Sequence, residues 1–131
     1  MKFHLNIPVT DLDKSVLFFK TLLQTDPRKH YDDYALFVCE DPGLELALDL
    51  ETTFVADRET HFGVVATSDD AVKSAAARLE LAGFTVELQL DKICCYARQT
   101  KVWTHDPDGR SWEMYVVHEE TSVRKVPATA P

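Results

Sequence analysis

Basic residues are scarce in this chain of 131: 14 lysines and arginines stand against 22 aspartates and glutamates, a formal net charge of −8. Nucleic acids and anionic membrane surfaces both reward clustered Lys and Arg, so this deficit argues against either as the main partner. Long apolar runs are missing too. None approaches the roughly 20 residues that span a bilayer. The opening Met1-Lys2-Phe3-His4 leads straight into strand-like sequence, without the extended apolar stretch of a secretory signal. A cytoplasmic location is therefore expected. Cysteine is sparse, with three in the chain. Three do not build a disulfide framework, and a reducing compartment keeps them as thiols.

Apolar residues make up 45% of the chain, enough for the core of one domain or of two small modules sharing a core. The pattern along the chain favours two modules. Phe3, Leu5, Ile7 and Val9 alternate against His4 and Asn6, which reads as a strand over residues 2–9. Thr10-Asp11-Leu12-Asp13 resembles a capping box, and Leu12, Val16, Phe19 and Leu23 share one helical face. Strands are expected near Arg28–Tyr31, Tyr34–Cys39 and Leu44–Leu50. The second half repeats the order. His61–Ala66 reads as a strand, Thr67-Ser68-Asp69-Asp70 caps a helix with Val72, Ala75, Ala76 and Leu79 on its apolar face, and Gly83 sits where a C-cap glycine belongs. Strands follow near Thr85–Leu90, Ala97–His105 and Ser111–Val117, the last two joined at Asp106-Pro107-Asp108-Gly109. The expectation is an α+β fold of two βαβββ modules, about 1–52 and 60–118, forming one domain over 1–118. Residues 119–131, polar and proline-containing, are expected to be a loose tail.

His4 stands six residues before Thr10, and His61 stands six residues before Thr67. The two histidines therefore occupy the same place in a repeated unit, and pseudo-symmetry would bring both imidazoles to one interface. Glu113 is an acid inside an apolar strand. It is either a third ligand or the solvent-facing residue of a strand whose buried face is Trp112, Met114 and Val116. Two imidazoles and one carboxylate leave metal positions free, an arrangement that favours Fe(II) and oxygen chemistry. His30, His105 and His118 lie in polar or turn-adjacent sequence and are expected to face solvent. Glu45 sits in the equivalent strand of the first half, its alignment open by one or two positions.

Cys94 and Cys95 are adjacent. Two thiolates side by side suit a soft, thiophilic metal or metalloid, yet consecutive strand residues point to opposite faces. Chelation by both therefore needs a loop or distorted backbone, which Asp91-Lys92 makes available. The competing readings are two small buried hydrophobes and a vicinal disulfide. Cys39, ending an apolar strand, is expected to be a core thiol.

These features together resemble the vicinal oxygen chelate superfamily of glyoxalases, extradiol dioxygenases and bleomycin-resistance proteins. Within it, Cys94-Cys95-Tyr96-Ala97, Lys101-Val102-Trp103 and Asp106-Pro107-Asp108-Gly109-Arg110-Ser111-Trp112-Glu113-Met114-Tyr115 resemble the carbon–arsenic lyases and the related cadmium-induced proteins. The opening His4-Leu5-Asn6, with Asp11-Leu12 and Ser15, matches as well. The resemblance implies a non-haem Fe(II) enzyme that uses dioxygen to cleave the carbon–arsenic bond of trivalent organoarsenicals, releasing arsenite. It implies His4, His61 and Glu113 as metal ligands and catalytic centre, and Cys94 and Cys95 as the substrate-binding thiols. A monomer or a homodimer is compatible with it. The rival readings are a thiol-based arsenic- or cadmium-binding resistance protein without catalysis, and another metal-dependent glyoxalase or dioxygenase.

Overall fold

The structure is a computed structural model that describes residues 1–124. Alternation builds its first strand. In β1 (Phe3–Val9), Leu5, Ile7 and Val9 turn inward while His4 and Asn6 turn the other way. Helix α1 (Leu12–Leu23) buries Leu12, Val16, Phe19 and Leu23, the face its spacing predicted, together with Phe18 and Leu22. Its N-cap is Asp11, whose carboxylate accepts from the Lys14 N–H, so the cap lies one residue later than the Thr10 box suggested. Thr10 is drawn elsewhere: its N–H and hydroxyl both donate to Asp108, 98 residues away.

The first module continues through β2 (Lys29–His30), β3 (Tyr34–Cys39) and β4 (Leu44–Leu50). The second runs β5 (His61–Val65), α2 (Asp69–Leu81), β6 (Val86–Cys94), β7 (Ala97–His105) and β8 (Ser111–Glu120). Ser68 caps α2 by accepting from the Ala71 N–H. Gly83 follows the helix at φ +95°, the left-handed position that favours glycine. Each module forms a four-stranded mixed sheet, in the orders β1-β4-β3-β2 and β5-β8-β7-β6. The pairs β1/β4 and β5/β8 are parallel and the rest antiparallel. This is the α+β fold of two βαβββ modules that the repeat predicted. Among the described residues, no helix is long and apolar enough to cross a membrane. The expected tail starts later than residue 119, because Glu119 and Glu120 complete β8 by pairing with β7. Residues 125–131 of that stretch lie outside the described residues.

The modules share one core. Phe18 and Phe19 of α1 meet Phe84 and Trp112 of the second module edge-on, and Phe62 stacks on Trp112. A polar latch fixes the junction. Asp106 accepts from the Arg110 backbone and guanidinium and from the Trp112 indole, and Arg110 also donates to the Pro8 carbonyl. The β7–β8 turn is thereby tied to the end of β1, which sets where the outer face of β8 stands.

Candidate active site

Strand alternation divides β8 as the sequence suggested. Trp112, Met114 and Val116 join the core, and Glu113 points to the other face. That face is not open water, since Glu113 is only 7% exposed. Lys101 of the neighbouring β7 is 4% exposed and places Nζ 3.2 Å from Glu113 Oε2. The other carboxylate oxygen, Oε1, lies 3.7 Å from Nε2 of the half-exposed His61. The two oxygens are therefore divided, one gripped by a lysine and one turned to an imidazole. Aromatic rings complete the lysine's surroundings, with Nζ 5.3 Å from the centre of Trp103 and 5.5 Å from that of Tyr115. Lys101 stood in the sequence only as part of a motif. Its signal was its register: Lys101 and Trp103 face the same side as Glu113 and Tyr115 across β7 and β8.

Gly63 explains how His61 and Glu113 come so near. It pairs directly with Glu113, and a Cβ there would meet Glu113 Cγ at 2.9 Å. Gly63→Ala should therefore push the carboxylate out of place and weaken the binding of any metal ion that the His61–Glu113 pair holds about tenfold, comparable to losing an outer-shell support. A metal titration of the variant checks this, and unchanged affinity would show that the close approach is unimportant.

The thiols meet because the backbone departs from strand geometry. Cys94 ends β6, and Cys95 and Tyr96 form a two-residue turn at φ +57° and +65°, with Cys94 opposite Ala97. The left-handed turn brings the sulfurs to 3.0 Å, with Cys95 exposed and Cys94 partly buried. The distortion required for chelation is thus present, and the pair is not a buried apolar one. The Cys94 thiol is pushed above the ordinary thiol range, first by its hydrogen bond to Cys95 and then by burial, while Lys101 pulls it down. A raised pKa holds back the thiolate, so the rise of Cys94 alkylation by iodoacetamide with pH should be centred at higher pH than that of a free thiol. Cys95→Ala should shift that profile to lower pH and Lys101→Met to higher pH, read by mass spectrometry against time.

One hollow of about 330 Å³ brings these parts together: Cys94, Cys95, His61, Glu113, Lys101 and Trp103 all line it. His4 does not. It lies on the outer face of the first sheet, with Nδ1 2.9 Å from Glu45 Oε1. Glu45 stands directly opposite His4, whereas His61 stands opposite Ser111 and two residues short of Glu113's level. The halves therefore repeat the His–carboxylate pairing but not its register. Among the described residues, no group of three or more His, Cys, Asp and Glu side chains is gathered for a metal. His30 and His105 are exposed, the former beside Asp13. His118 is exposed with its ring against Asp69 and Thr100, and Cys39 is a buried core thiol.

The His61–Glu113 pair fits a first-row metal ion. At 3.7 Å its atoms are too far apart to hydrogen-bond, yet close enough for both to bind one ion at about 2.1 Å each. Imidazole with carboxylate is a donor set that iron accepts.

Two mixed βαβββ sheets, each carrying an imidazole and a carboxylate on its outer face, define a paired-module scaffold. The Glyoxalase/Bleomycin resistance protein/Dioxygenase superfamily matches residues 3–114, and the chain belongs to that superfamily. It is 38% identical over 113 residues to the "Trivalent organoarsenical cleaving enzyme" of Bacillus sp. (strain MD1), covering 86% of this chain and 70% of that protein. It is 37% identical over 113 residues to the "Cadmium-induced protein CadI" of Mycobacterium tuberculosis (strain ATCC 25618 / H37Rv), covering 86% and 74%. The fold is shared with the fosfomycin resistance protein FosX of Listeria monocytogenes, at a TM-score of 0.71 and 15% identity over 87% of this chain and 90% of that one.

Proposed function

We propose that this chain is an Fe(II)-dependent dioxygenase-type lyase that cleaves the carbon–arsenic bond of trivalent organoarsenicals, releasing arsenite and an oxidised organic fragment. The observation that carries the reading is the shared hollow, where a soft dithiol stands beside a hard His–carboxylate pair. A sequestering protein needs only the first, and a generic superfamily enzyme only the second.

Cys94 and Cys95 capture the substrate. Two thiols condense with an organoarsonous acid, R–As(OH)₂, forming two As–S bonds and releasing two waters. The arsenic then sits at the mouth of the hollow with its organic group toward Trp103, Tyr115 and Val117. His61 and Glu113 hold the iron, with His4 as third ligand. Fe(II) supplies the activation of dioxygen. Lys101 keeps one Glu113 oxygen occupied and the other facing His61, so the carboxylate is oriented before metal arrives. Holding the captured arsenical beside the metal turns an encounter into a local event.

His4 belongs to the other sheet, so this reading needs a second copy. The outer face of the first sheet of one copy would lie against the outer face of the second sheet of the other, delivering His4 and Glu45 to the hollow. Co-expressing His4→Ala and His61→Ala chains should then restore one complete site per mixed dimer, whereas either variant alone should have none.

The test is arsenite release and oxygen uptake by iron-loaded protein with a trivalent methyl or aryl arsenical. Capture without arsenite release would favour thiol-based sequestration, the reading to which the separate placement of His4 lends support.

A further inference from the structure

Asp91, Cys95 and Tyr96 of the β6–β7 hairpin all hold left-handed backbone, at φ +54°, +57° and +65°, and none is glycine. Left-handed backbone is unfavourable for a residue with a side chain, and persists only where its surroundings fix it. The register also slips, between Gln89 and Lys92 on β6 and between Arg98 and Gln99 on β7. Two neighbouring side chains of β7 hold this irregular segment. Gln99, 4% exposed and lining the hollow, donates from Nε2 to the Cys94 carbonyl at 2.7 Å. Thr100, fully buried, accepts from the Asp91 N–H at 3.0 Å. The Thr100 hydroxyl also meets His118 Nε2 at 3.1 Å, and that nitrogen lies 2.9 Å from Asp69 in the first turn of α2.

The carbonyl that Gln99 grips belongs to the peptide bond joining the two cysteines. Fixing that peptide plane fixes the direction in which each Cβ leaves the backbone, and hence where the two sulfurs stand. We infer that Gln99 is a positioning residue that sets the Cys94–Cys95 pair over the His61–Glu113 face, with Thr100 anchoring the base of the same hairpin. The inference rests on the proposed capture of a trivalent arsenical by both thiols. A glutamine that merely fills a strand position has no need of this donor.

Gln99→Leu keeps the bulk and removes the donor, and Gln99→Glu keeps the shape and replaces the donor with an acceptor. Two quantities are measured on iron-loaded full-length protein of checked thermal midpoint. The first is the dissociation constant of phenylarsine oxide, without oxygen, with mass spectrometry giving the stoichiometry. The second is kcat for arsenite release at saturating arsenical. Both variants should still take up one arsenical per chain, with the dissociation constant raised several-fold and kcat lowered about tenfold or more, as for a misplaced reactant. Thr100→Val should behave likewise, and Thr100→Ser should recover most of that loss by restoring the hydroxyl. An unchanged dissociation constant or kcat in both Gln99 variants overturns the inference, as does a loss that follows the thermal midpoint alone. If the parent protein captures phenylarsine oxide but releases no arsenite, the lyase reading fails. The dissociation constants then decide the role of Gln99 by themselves.

Discussion

Cys94→Ser and Cys95→Ser proteins are each expected to keep their iron and to lose most turnover of trivalent arsenicals at low substrate. Neither thiol is a proposed iron ligand, whereas both bond to arsenic in the proposed complex. A hydroxyl is a hard donor and a poor ligand for a soft centre. With one thiolate gone, the second As–S bond no longer forms at the high effective concentration that a sulfur 3.0 Å away provides. The expected loss is on the order of a hundredfold in kcat/KM, the low end of what linking two attachments supplies. Direct titration with phenylarsine oxide should show the same weakening without any turnover. Pentavalent arsenicals should be poor substrates even for the parent, because thiolates do not coordinate them until they are reduced. Full activity in both serine variants would leave a metal enzyme with no task for its thiols.

His61→Ala separates the two halves of the site in the opposite sense. The variant should lose its iron and all arsenite release while still capturing the arsenical. An outer-shell support is worth about 10–100-fold in metal affinity, and a direct ligand should be worth more. The remaining Glu113 would be held by Lys101 alone, an ion pair with no facing imidazole. Metal analysis after gel filtration reads the first loss, and mass spectrometry of the phenylarsine oxide adduct reads what is retained. Near-normal turnover with iron in His61→Ala would refute the metal assignment. The exposed His30 and His105 provide the control, since neither lines the hollow.

Much of the fold was legible because it depends on local periodicity. Tyr34–Cys39 is a short apolar run and Leu44–Leu50 alternates, and the bounds expected for both, and for Ala97–His105, are those observed. The caps were less so. Thr10 and Asp11 are both good cap residues, and a partner 98 residues away, Asp108, took Thr10 out of the competition. The end of β8 was misjudged because Glu119 and Glu120 look like tail sequence, although the edge of β7 pairs with both.

The site divides along the same line. The sequence by itself determined the repeated modules, a histidine at the same place in each, and the presence of a vicinal thiol pair. These follow from residue types and spacing along one strand or turn. Only the tertiary structure decided that Cys94 and Cys95 share a hollow with His61 and Glu113, that Lys101 and Gln99 are buried there, and that His4 stands apart on the other sheet. Register between strands, bulges and left-handed turns decide which side chains converge. They are set by packing between distant segments, such as the Arg110–Pro8 latch, and leave no periodic trace in the chain itself.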